Sequence, residues 1–226
     1  MGIKDFLADK ALDAAAYVGA AGPSDNPVEN IGNAIGLVGA AIGGAYKKKM
    51  KRIEDDYIAK RPNNKHIYIR MEVSDGRVEF KVTDLDGNIL YTASGKLTKR
   101  GVSFIVKSAP GTLIGKVKKT ILTIRNPLEH EKNPANFVIT LADSNTITVK
   151  TTQGINDYEI VPYGWKTGYE SGCRYVSNGD EPLFYYDSWG YQKYMVDYKH
   201  SSIEKQAVLI CMAIMAQDYW EYLQDD

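Results

Sequence analysis

Cysteine, histidine and phenylalanine are scarce in this 226-residue chain, which holds two, three and five of them. Two cysteines, Cys173 and Cys211, cannot build a disulfide framework. Cys211 stands in an apolar helical run, where a thiol packs as a small hydrophobe, and both cysteines read as structural thiols of a reducing compartment. The three histidines, His66, His130 and His200, are scattered, and none lies at a metal-ligand spacing from a cysteine or from another histidine. No G-x-S-x-G elbow and no phosphate-binding loop are present, and the glycine series from Gly32 to Gly39 opens a helix with no strand before it, which excludes the dinucleotide reading. Asp84-Leu85-Asp86-Gly87 resembles the start of a calcium loop but lacks the later oxygen ligands, so it reads as a hairpin turn. No catalytic constellation results. The expectation is a non-enzymatic protein without metal or cofactor.

The N-terminus lacks an uninterrupted apolar core. MGIKDFLADKALDAAA is broken by Asp5, Asp9 and Asp13, which does not fit a secretory signal. Phe6 occupies the place where a myristoylation signal needs Ser or Thr. The expected location is therefore cytoplasmic, with a membrane-peripheral association argued below.

What is present is ordinary in amount and uneven in placement. A content of 44% hydrophobic and 25% charged residues suits a globular chain. There are 16 Tyr, nine of them between Tyr158 and Tyr198, as suits a sheet with one dry face, since a buried ring can keep its hydroxyl bonded. The formal net charge is zero, but residues 77–133 carry 11 Lys and Arg against 5 Asp and Glu, whereas residues 134–226 carry 6 against 13. If these halves form different sides of one domain, one side is basic and could approach an anionic partner; the alternative is charge scattered over a solvated surface.

Along the chain, residues 3–21 read as a short Ala-rich helix, closed by the breaker cluster Gly22–Pro27, and residues 28–60 as a second helical segment ended by Arg61–Lys65. At His66 the period becomes two. Runs at 66–73, 77–84, 88–95, 102–109, 112–119, 121–126, 136–142, 146–152, 157–163, 173–177, 183–187 and 191–198 read as short strands. Tight turn signals such as Asp75-Gly76, Asp86-Gly87, Pro110-Gly111 and Asn178-Gly179 join them, with no helical crossover, which argues for an antiparallel sandwich or barrel. The final segment, Ile203–Tyr222, is helical, and Ala207–Ala216 is apolar without exception. A helix apolar on every face must be buried on every face. Ten residues reach only about 15 Å, half of the roughly 30 Å of a bilayer core, so burial inside a protein is favoured over a membrane span. The fold class expected is mainly β with α: a closed antiparallel β-barrel around a buried hydrophobic C-terminal helix (residues 66–226), preceded by a helical Ala/Gly-rich appendage (residues 1–65).

Three segments in this order carry a family resemblance. The hairpin Phe80–Lys96, with its D-x-x-G-N-x-L-Y turn, resembles the strand pair of the LURP-one-related proteins. Val102–Ile124 is similar to that family's next hairpin, and Ala207–Asp218 to its central aliphatic helix ending in Asp. Residues 66–226 thus look like a tubby-like superfamily barrel, closest to the LURP-one-related and phospholipid scramblase-like branches. The resemblance implies a barrel closed around its C-terminal helix and, through the tubby branch, phosphoinositide binding at a basic pocket.

The chemistry-bearing segments left are two basic zones. Ile31–Tyr46 has no charge over 16 residues and sets Gly32, Gly36, Ala40 and Gly44 at four-residue intervals, a smooth helical stripe that lets another backbone approach. It is followed by Lys47, Lys48, Lys49, Lys51 and Arg52, cations that would favour anionic headgroups by about 1 kcal/mol each. The competing reading packs this helix on the protein or on a second copy or partner helix, its lysines opposing the helix dipole. In the barrel half, Lys116, Lys118 and Lys119, with Lys96, Lys99 and Arg100, form the densest basic zone. Lys116 and Lys118 share a face, expected to be the outer one. Tyrosines cluster away from these lysines, so nucleic acid is not expected. The leading reading is a membrane-peripheral or lipid-binding module that meets an anionic lipid or membrane surface. The second is a protein-interaction or oligomerising scaffold using the Gly-rich helix, and the third an enzyme with a pocket at a barrel end.

Overall fold

The computed structural model describes residues 48, 51–120, 136–152, 157–170, 172–188 and 192–225. The chain divides into two compact units, Met1–Pro62 and Asn63–Asp226. In the first, residues 51–60 are helical, and the Arg61 guanidinium lies 4.9 Å from the centre of the Tyr57 ring. The glycine stripe expected at Gly32, Gly36, Ala40 and Gly44, the cations Lys47 and Lys49, and the strand expected at 121–126 lie outside the described residues.

The second unit is a closed barrel of twelve strands in which every neighbouring pair is antiparallel. The strands are β1 (Lys65–Ser74), β2 (Arg77–Asp84), β3 (Ile89–Thr98), β4 (Gly101–Ser108), β5 (Leu113–Thr120), β6 (Asn136–Leu141), β7 (Thr146–Thr151), β8 (Tyr158–Val161), β9 (Trp165–Glu170), β10 (Cys173–Asn178), β11 (Glu181–Ser188) and β12 (Lys193–Tyr198). Each strand pairs with its sequence neighbours, and β1 closes the ring on β12 with Lys65 opposite Tyr198 and Arg70 opposite Lys193. Closure leaves no strand edge for another chain to pair with. Of these strands, β9 is the one that alternation did not predict. The Asp84–Asn88 segment is a hairpin turn: the Asp84 carboxylate accepts from the Asn88 N–H at 2.8 Å and from its side-chain amide at 2.9 Å.

Strands such as β2 and β4 alternate between the lumen and the outside, whereas β12 is buried on both faces from Tyr194 to Tyr198. Val78, Phe80 and Val82 of β2 and Val102, Phe104 and Val106 of β4 are buried, while the residues between them are exposed. Side chains alone fill a barrel of about eight strands. Twelve leave a lumen that needs a further occupant, and the helix α1 (Glu204–Asp225) supplies it. Every residue from Ala207 to Ala216 is at most 2% exposed. At close to 10 Å across, α1 plugs the space, and Cys211 at its middle is a buried free thiol whose pKa burial pushes well up. An apolar interior with lysines outside inverts the pattern of a transmembrane barrel, which is apolar outward. Among the described residues, no helix is long and apolar enough to cross a membrane.

Polar groups pin α1 at its two ends. At its start, Glu204 accepts hydrogen bonds from Tyr91 (2.7 Å), Tyr198 (2.6 Å) and Lys65 (2.8 Å), beside the positive end of the helix dipole. Burial alone would push the Glu204 carboxyl up; the bonds from Lys65, Tyr198 and Tyr91 outweigh it and hold it below the ordinary glutamate range. Toward the other end, Asp218 accepts from the Tyr194 hydroxyl and lies 3.7 Å from the Arg174 guanidinium.

Two measurements check this architecture. Ile210→Ala should lower stability in urea denaturation by about 2–5 kcal/mol, the range for emptying a filled core site, whereas Ile105→Ala on the outer face should change it by less than about 0.5 kcal/mol. Glu204→Gln should be less stable than the parent at neutral pH. Because the folded-state pKa is depressed, that difference is fully present above the ordinary value of 4.5 and shrinks as the pH falls through the lower folded value.

Candidate functional site

The strands β3 to β7 contain no Asp or Glu, yet they carry Lys96, Lys107, Lys116, Lys118, Lys119 and Lys150. The strands β8 to β12 hold Glu159, Glu170, Glu181, Asp187 and Asp197 against Lys166, Arg174 and Lys193. Because the strands are ordered around the ring as in the sequence, the charge imbalance between the two halves of the barrel sequence becomes an imbalance between two sides of the barrel. A basic side exists for a topological reason: no crossover mixes the halves.

Register sharpens it. Lys193, Arg70, Lys81, Thr92 and Lys107 stand directly opposite one another across β12, β1, β2, β3 and β4. Like charges facing each other across a pair cost a few tenths of a kcal/mol or more. Lys193 finds relief over the Tyr68 ring, its Nζ 4.2 Å from the centroid. Arg70, Lys81 and Lys107 are exposed, and no ion pair within 4 Å joins them to the two carboxylates of the next row, Glu72 and Glu79. Between these rows runs an outer groove of about 510 Å³, lined by Arg70, Lys81 and Lys107 on one side, by Glu72 and Glu79 on the other, and by Ile105.

On the neighbouring strand, Lys116 and Lys118 point outward and are exposed, Lys116 opposite Ile105 and Lys118 opposite Ser103. Lys119 does not join them. Strand alternation puts it on the lumen side with Val117, and it is 5% exposed. Its Nζ donates to the Gln217 side-chain oxygen at 2.6 Å and lies 3.2 Å from the centre of the Trp220 ring. The expectation that Lys119 is a surface contact is corrected: it is a tie between β5 and α1, its charge held by an amide and an indole face. In the first unit, Lys48, Lys51 and Arg52 are helical and exposed.

The sequence reading found Lys116 and Lys118 by local density. It missed Arg70, Lys81 and Lys107, which lie in three separate runs and meet only through register. A second polar site lies at the end of the barrel away from Glu204, where Tyr194, Asp218 and Gln192 border a cleft of about 320 Å³. Its charged lining residue, Asp218, already accepts from the Tyr194 hydroxyl and faces the Arg174 guanidinium. Among the described residues, no three of His, Cys, Asp or Glu are placed to share a metal ion. No family model, curated protein or solved structure matches the chain.

The two kinds of lysine should separate experimentally. Lys119→Ala should destabilise the barrel by about 1–3 kcal/mol, the range for breaking a buried hydrogen bond, while Lys116→Ala and Lys118→Ala should each shift the urea midpoint by less than the equivalent of about 0.5 kcal/mol.

Proposed function

We propose that this protein is a non-enzymatic, membrane-peripheral module that docks on anionic lipid through the outer face of β1–β5. The observation that carries the reading is that the register row Arg70, Lys81 and Lys107, exposed and not ion-paired with Glu72 or Glu79, adjoins strands β3–β7, which hold no Asp or Glu and present Lys96, Lys116 and Lys118 outward. Aligned like charges disfavour the isolated protein, and an anionic surface turns that cost into attraction. At about 1 kcal/mol per cation near a charged leaflet, Lys81, Lys96, Lys107, Lys116 and Lys118 together supply enough for reversible attachment. Lys48, Lys51 and Arg52 offer a second cationic element in the N-terminal unit. The resemblance of residues 66–226 to tubby-like barrels supports the same reading.

Co-sedimentation with phosphatidylserine-containing vesicles tests it. The full-length protein should pellet with anionic but not with neutral vesicles, and added salt should release it, since exposed charges are screened within about 10 Å at 0.1 M salt. Reversing Lys107 and Lys116 to Glu together should weaken association at least tenfold. Binding that survives this change and disappears on reversing Lys48, Lys51 and Arg52 would move the attachment to the N-terminal unit. No pelleting at all would remove the lipid reading.

A further inference from the structure

The basic face is not purely basic. At its centre Ile105 is 42% exposed, with Ser94 opposite it on one side and Lys116 on the other, and with Lys107 two residues along the same strand face. Leu113, 39% exposed, stands directly opposite Lys107. Ile89, 43% exposed, opens β3 nearby: the Ala109 N–H of the β4–β5 turn donates to the Leu90 carbonyl at 2.8 Å, which ties the start of β3 to the turn that delivers Leu113. Three of the large apolar side chains that the barrel exposes therefore gather on or beside the carboxylate-free strands, interleaved with lysines. A soluble phosphate or a polyanionic sugar would leave these aliphatic groups in water and gain nothing from them. A lipid surface offers headgroup charge and acyl carbon within one layer, which is the pairing this face presents.

We infer that Ile105, Leu113 and Ile89 enter the boundary between headgroups and acyl chains while Lys107 and Lys116 hold the flanking phosphates, so that the bilayer, and not a soluble anion, is the ligand of this face. The inference rests on the lipid-docking reading above. It fixes an orientation: the uncharged β4–β5 turn, at the end of the barrel where α1 begins, leads into the membrane, the β2–β3 turn with Asp84 and Asp86 stays in the aqueous headgroup layer, and β8–β11 face away from it.

The test uses the full-length protein. Both native cysteines are buried, so Leu113→Cys can be labelled selectively with an environment-sensitive fluorophore, and Tyr169→Cys, on the far side of the barrel, serves as its counterpart. With phosphatidylcholine/phosphatidylserine vesicles, the probe at position 113 should brighten, shift to the blue and be quenched by brominated acyl chains, while the probe at position 169 should not. Ile105→Ser combined with Leu113→Ser should weaken vesicle affinity about tenfold, the loss of one to two buried aliphatic groups, and leave retention on immobilised heparin unchanged. Lys107→Ala with Lys116→Ala should weaken both. A serine double variant that binds vesicles within twofold of the parent, or a probe at 113 that stays in water while the protein is vesicle-bound, overturns insertion and leaves electrostatic docking standing. A parent protein that binds heparin but no vesicle overturns the docking reading itself. Urea denaturation of the serine variant, expected to match the parent because both positions are exposed, separates lost binding from lost fold.

Discussion

A helix apolar on all sides has no stable place at a water interface, and this constraint organises the whole barrel. Ala207–Ala216 must be enclosed, and enclosure needs a ring wide enough to admit a helix and closed enough to exclude water. Twelve antiparallel strands with β1 paired to β12 meet both demands. The lumen faces of the strands are accordingly mostly apolar or aromatic, and three buried tyrosines, Tyr91, Tyr194 and Tyr198, put rings inside while their hydroxyls reach the carboxylates of Glu204 and Asp218 on α1. Glu204 and Asp218 act as two terminals. The charge at each is held by phenols and a cation that belong to the wall, so the plug is fixed along its axis by polar bonds and radially by packing.

Once the interior is committed to the plug, function is pushed to the outer surface or to the rims. Neighbour-to-neighbour topology then decides where charge goes: consecutive strands without Asp or Glu, β3 to β7, stand side by side in the wall. The sheet amplifies this by register, since residues from separate strands that look unrelated in the linear chain fall into one row. Arg70, Lys81 and Lys107 are such a row. Glycine assists locally. A Cβ on Gly95 would sit 2.0 Å from the Ser103 carbonyl oxygen, so β3 and β4 approach there as closely as backbones can.

How much of this was legible beforehand follows from the period of two. Strands such as β2 and β4 alternate cleanly and were readable, as was the continuous apolar run of α1. The strand β9 was not, because Trp165–Glu170 has no apolar alternation. Gly168 sits there because the Tyr175 ring lies across it, with a Cβ position only 2.5 Å from that ring, a cause that exists only after β10 is in place. Lys119 shows the opposite lesson. Grouping lysines by density put it with Lys116 and Lys118, although alternation alone assigns it to the side of Val117. The groove cations could not be read at all, because register between distant runs is set by the turns and bulges of the assembled sheet.

The position of the plug in the chain has a kinetic consequence. During synthesis all twelve strands emerge before α1, and β1 cannot meet β12 until more than a hundred intervening residues have been made. The nascent barrel is therefore an open sheet with two unpaired edges and an apolar concave face, for a time set by translation at about 5–20 residues per second. Long-range closure of this kind is slow even in isolation. Until the last helix arrives, any sheet already formed exposes unpaired edges and apolar surface, the features that favour aggregation over folding.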